Sequence, residues 1–223
     1  HPDGCINEVS GCIRICTRMD LGCQPCKDTP LGSILFFIPA KNIIKEYVDR
    51  SWYHICNRGV ERRVIFSDHQ DESVFLNYLR EYLSPQDTVE LSRAINDPDR
   101  SGQEKDQARR LLRLNNFSDQ IDLLAYCLMP NHYHLLIKQV SPRAIELFMR
   151  SFVTRYVQYF NHRHNKRVGS LFQDTYKAVL VNSEEQLLHL SRYIHRNPFQ
   201  KGVSLQESPR PSSLPNFLGK ISQ

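Results

Sequence analysis

His132 and His134 stand one residue apart, and a strand would turn both imidazoles to one face with Tyr133 on the other. Two imidazoles side by side on a stiff strand are a ready pair of metal ligands. Further along, His189, Tyr193 and Asn197 recur at four-residue spacing, so a helix would align them on one stripe, with Arg192 and Arg196 on the next. A phenol is a weak nucleophile at neutral pH, and it attacks a phosphodiester best where a cation makes the phosphorus more electrophilic. Spacing leaves a plainer reading open for each group. A His-X-His pair is often structural, and a tyrosine on an amphipathic helix often just packs that helix onto a sheet. The chain itself holds a second such pair, His162-Arg163-His164, which follows a helix in a polar stretch and reads as a solvated or DNA-facing loop.

Something must position these groups. Trp52 to Cys56 reads as a short strand, closed by Asn57-Arg58-Gly59 as a turn, with Val64-Ile65-Phe66 after it. A helix opens near Asp68 and carries Phe75, Tyr78, Leu79 and Tyr82 at helical spacing; Asp68 and Asp71 suit its N-terminus. Ile121–Met129 and His132–Val140 flank the turn Pro130-Asn131 and predict an antiparallel hairpin. Arg143–Phe160 is an amphipathic helix along Ile145, Phe148, Phe152 and Tyr156. Tyr176–Val181 reads as a strand, and Ser183 with Gln186 forms a capping box for a last helix that stops at Pro198. This order predicts an α+β fold, an antiparallel sheet with helices on one side.

Charge adds a location. Between Ser141 and Val203 ten Lys/Arg face four Asp/Glu, whereas the rest of the chain has 19 against 20, so the whole surplus of the +5 chain lies in this segment. A localised basic surface is the usual footprint of phosphate binding. Residues 84–118 carry six acidic and six basic side chains and read as a polar helical insertion. Residues 1–38 hold five of the seven cysteines, with only Cys23 and Cys26 at ligand-pair spacing, and read as an N-terminal extension. Cys56 and Cys127 read as small core residues. Residues 39–205 form the expected catalytic domain and 206–223 a tail. No apolar run reaches membrane-helix length, and no secretory leader is visible, so the expected location is the cytoplasm.

Tyr126 to Ile137, with its Pro-Asn-His-Tyr-His core, resembles the HUH segment of the single-tyrosine transposases of the smallest bacterial insertion sequences and of their REP-associated relatives. Three further blocks match the same pattern in order: Tyr53 to Gly59 with Val64-Ile65-Phe66, Asn161 through Gly169-Ser170-Leu171-Phe172, and Tyr193 to Pro198. The resemblance implies a ferredoxin-like HUH nuclease fold, with Mg²⁺ or Mn²⁺ on His132, His134 and Asn197 and with Tyr193 as nucleophile. It implies cleavage and rejoining of single-stranded DNA near hairpins through a covalent 5′-phosphotyrosine. Asn57, Arg58, Arg62, Arg63, Arg192 and Arg196 become the candidate DNA contacts, and His189 the substitute ligand. The alternative is a domesticated hairpin-binding protein without mobility; a replication or conjugation nickase is a third, weaker fit. The family works as homodimers or as monomers.

Overall fold

The computed structural model describes residues 47–165, 169–197 and 211–213. The cysteine-rich stretch 1–38 and most of the tail 206–223 lie outside the described residues. The elements follow the chain as β1 (Trp52–Arg58), α1 (His69–Leu83), α2 (Thr88–Asn96), α3 (Gly102–Leu112), β2 (Ile121–Met129), β3 (His132–Gln139), α4 (Ala144–Arg163), β4 (Lys177–Val181) and α5 (Glu184–Arg196). All neighbouring strands pair antiparallel, in the order β2-β3-β1-β4. With α1 after β1 and α4 after β3 this is the ferredoxin-like arrangement, as the sequence led us to expect.

Strand alternation divides the sheet into two differently covered faces. On one face Tyr53, Ile55, Tyr133, Leu135 and Ile137 meet Phe75, Phe148, Phe152 and Tyr156 of α1 and α4 in the main core. On the other, Ala125, Cys127 and Leu136 meet Leu190 and Ile194 of α5. The helices α1 and α4 thus take the expected side, and α5 is an addition across the opposite one. That placement matters, because the second face is the one that carries His132 and His134.

The ends of α1 and α4 explain the second His-X-His, and here the DNA-facing expectation is corrected. Arg163 closes on Asp68 at 2.7 Å and also bonds Asp71, while His164 Nε2 lies 3.0 Å from the other Asp71 oxygen. Asp71 is fully buried and also accepts from Ser67 N and the Tyr159 hydroxyl. A buried carboxylate needs such donors, so the two residues that follow His162 are drawn inward. Capping accounts for Asp68, which accepts from Gln70 N and Asp71 N, but Asp71 is the hub of this network.

Helices α2 and α3 leave only Ala94 and Ala108 buried. Their base is closed where Asn116 Nδ2 donates to Ser84 O at 2.7 Å and Phe117 N to Tyr82 O at 2.8 Å. Ser183 caps α5 through Gln186 N, and Gln186 answers to Asn182 N rather than to Ser183. No helix among the described residues is long and apolar enough to cross a membrane.

Candidate active site

The pleat of β3 sends Tyr133 into the main core and both histidines toward α5. The His132 and His134 rings stand 5.1 Å apart, centre to centre, at 88°. His134 is fully buried, and its Nε2 has no hydrogen-bond partner among the described residues. Helix α5 brings Tyr193 edge-on to the His134 ring, 5.8 Å away at 81°. One turn later Asn197 caps α5 with helical φ and ψ, its backbone N donating to Tyr193 O at 3.1 Å. The Asn197 side-chain amide also has a buried atom, Nδ2, without a hydrogen-bond partner among the described residues. Amide nitrogen and oxygen are interchangeable by a flip, so the same position can present a carbonyl oxygen.

Sequence reasoning missed a third imidazole. His54 on β1 lies across from β3, its Nε2 2.8 Å from His134 Nδ1, with the two rings stacked 5.0 Å apart. Cys56, read from sequence as a core residue, is buried and pairs directly with His134 in register. Donor atoms of His54, Cys56 and His134 lie within 4.8 Å of one another. The available signal was His54-X-Cys56, a second spacing of two on a strand, but only β1–β3 pairing makes it a neighbour of the HUH pair. Asn131, read as a turn residue, is also part of the site: its Oδ1 lies 2.7 Å from His132 Nδ1.

Electrostatics keep these rings neutral. Burial pulls His54 down to about 4; burial, aided by the Arg58 charge, does the same to His132, and burial and the neighbouring imidazoles and Arg58 hold His134 well below the usual range. Neutral imidazole is the form that ligates a cation. An orphaned buried ring nitrogen, a second imidazole beside it and an unsatisfied amide on the facing helix therefore suit a divalent ion. His132 and His134 could hold it, with Asn197 the third donor expected from sequence.

The expected DNA contacts separate into two groups. Arg62, Arg192 and Arg196 are exposed, and Arg58 and Arg63 are half-buried. Glu61 and Arg62 have positive φ in a turn that rests on the hairpin, where Gly59 N donates to Asn131 O and Ile65 N to Pro130 O. Gly59 is required there, because a Cβ would fall 2.2 Å from Arg63 O. Asn57 belongs to the second group and corrects the expectation. It is buried, its Nδ2 donates to Asp174 O and Thr175 O at 3.0 Å each, and its Oδ1 accepts from Arg58 N. It sits on the Tyr133 side of the sheet, where alternation directs it. His189, the substitute ligand, is turned outward: its side chain is 58% exposed and faces Glu185.

Helix α5 has one further tether. His195 Nε2 lies 2.9 Å from Ser213 Oγ, and the Pro211–Ser213 segment pairs with β2 through Leu128 N to Pro211 O and Ser213 N to Tyr126 O.

The sequence profile of the family described as transposase IS200 like matches residues 100–197. No curated protein matches the chain in sequence. Among solved structures, a REP-associated tyrosine transposase bound to a REP hairpin is similar with a TM-score of 0.51 and 11% identity, over 81% of this chain and 87% of that one. A Deinococcus radiodurans R1 protein described as a candidate transposase aligns with a TM-score of 0.38 and 16% identity, over 70% and 96% of the two chains. The first likeness shows a common fold; the second adds no argument. His132, His134, Tyr193 and Asn197 all fall inside the stretch that is similar to the IS200-like transposases.

Proposed function

We propose that this protein is a transposase that cuts and rejoins single-stranded DNA near hairpins, with Tyr193 as the nucleophile. The observation that carries the reading is the Tyr193 ring set edge-on to His134, 5.8 Å away, beside an imidazole nitrogen without a partner among the described residues. A bound Mg²⁺ or Mn²⁺ on His132, His134 and Asn197 would supply the Lewis acidity that makes the scissile phosphorus electrophilic. The Tyr193 hydroxyl oxygen forms the new bond to phosphorus, and the bond to the 3′ oxygen breaks. The phenolic proton passes to solvent, and the 3′ oxygen leaves as a hydroxyl. One ester replaces another, so attack by a 3′-hydroxyl on the tyrosyl ester reverses the step and joins strands without an external energy source.

Arg58, Arg62 and Arg63 on the β1 side and Arg192 and Arg196 on α5 supply positive charge for a DNA backbone around the pair. The solved REP-associated relative holds a REP hairpin, which supports a hairpin-bearing strand as substrate here.

With Mn²⁺ and a hairpin-bearing single strand, the wild-type protein is expected to form a denaturant-resistant covalent DNA adduct. The Tyr193→Phe variant and the wild type in chelator are expected to form none. Full adduct yield from Tyr193→Phe refutes the nucleophile. Tight hairpin binding by wild type with no adduct on any flanking sequence replaces the enzyme by the hairpin-binding protein.

A further inference from the structure

Both HUH imidazoles are engaged at the same ring atom. His132 Nδ1 is 2.7 Å from Asn131 Oδ1, and His134 Nδ1 is 2.8 Å from His54 Nε2. Asn131 directs its Nδ2 to Arg62 O at 3.4 Å, so the oxygen is the atom it turns to His132, and an amide oxygen only accepts. The hydrogen of neutral His132 then sits on Nδ1, and Nε2 keeps its lone pair. For His134 the pair of imidazoles shares one hydrogen. With that hydrogen on His134 Nδ1, His54 accepts it and His134 Nε2 is bare. The reverse arrangement would bury an N–H at Nε2, where no acceptor exists among the described residues, and an orphaned buried donor loses its hydration with nothing in return.

We propose that His54 and Asn131 are positioning residues that hold His134 and His132 in the Nδ1–H tautomer, leaving both Nε2 lone pairs to take a divalent cation. The proposal rests on the metal reading of the HUH pair and deepens it. Metal-bound histidines commonly donate their other ring N–H to an acceptor that fixes ring orientation and basicity. Here one acceptor comes from the hairpin turn itself and the other from the neighbouring strand. Asn131 also links the site to the Arg62 turn, because one amide touches both.

Tautomers can be read without any metal, from long-range proton–nitrogen NMR correlations of nitrogen-15-labelled protein at neutral pH. Wild type is expected to show Nδ1–H at both His132 and His134. His54→Leu is expected to move His134 alone toward Nε2–H, and Asn131→Leu to move His132 alone. His54→Gln and Asn131→Asp keep an acceptor and are expected to restore the wild-type tautomers. Mn²⁺ affinity, measured by electron paramagnetic resonance, is expected to fall about 10–100-fold in the two Leu variants and to recover in the two conservative ones. An Nε2–H His134 in the wild type, tautomers unmoved by the Leu substitutions, or equal Mn²⁺ loss in all four variants would each overturn the proposal. Wild type with both Nδ1–H tautomers but no Mn²⁺ uptake would sink the metal reading, and the positioning role with it.

Discussion

Replacing Asp71 by Asn tests whether the second His-X-His is a structural knot. The carboxylate is fully buried and accepts from Arg163, from the Tyr159 hydroxyl at 3.0 Å, from Ser67 N at 2.8 Å and from His164 Nε2 at 3.0 Å. An amide of the same shape has one acceptor atom where there were two and carries no charge. Breaking a buried ion pair typically costs about 3–5 kcal/mol. The lower end applies here, because Arg163 keeps Asp68 and is itself 24% exposed, so its charge is not stranded. A loss of about 3 kcal/mol in a domain of this size corresponds to a melting point lower by about 6–12 °C. Urea unfolding with an unchanged slope would measure it, while hairpin binding of the still-folded variant at low temperature stays at the wild-type level. Burial pushes the Asp71 carboxyl up, but Ser67 N, Arg163, Tyr159 and His164 outweigh it and hold the group below the usual range. A depressed carboxylate stabilises above its unfolded pKa of about 3.9 and loses that contribution as pH falls through the folded value. The acid limb of wild type should therefore be steeper than that of Asp71→Asn. A stability loss under about 1 kcal/mol, or parallel acid limbs, would refute the assignment of the network.

Asn57→Ala is expected to cost about 2 kcal/mol, because the Asp174 and Thr175 carbonyls and the Arg58 N–H lose their partner, and chemical denaturation would read it directly. Arg62→Gln and Arg192→Gln should leave the melting point unchanged while weakening single-strand binding, each lowering the slope of log affinity against log salt by about 0.7 in a fluorescence titration.

Much of the architecture was legible because it is local. Alternation around Pro130-Asn131, the apolar stripe from Ile145 to Tyr156 and the Ser183 cap each depend on residues a few positions apart, and each is where those patterns predict. The shared face of His132 and His134 and the one-turn spacing of Tyr193 and Asn197 are of the same kind. The site's surroundings are not. His54 and His134 are separated by 80 positions, and Arg163 and Asp71 by 92. No periodicity links such pairs; strand order and helix packing do.

The sequence alone thus determined which residue types were available and which way a strand or helix must turn them, since side-chain direction follows from backbone period. Tertiary structure decided which of them meet. It laid α5 over the histidine face, so that Tyr193 reaches His134, and paired β1 with β3, so that His54 meets Nδ1 of that ring. It also turned Asn57, Arg163 and His164 to partners within the protein, because buried carbonyls and a buried carboxylate must be satisfied from within the fold.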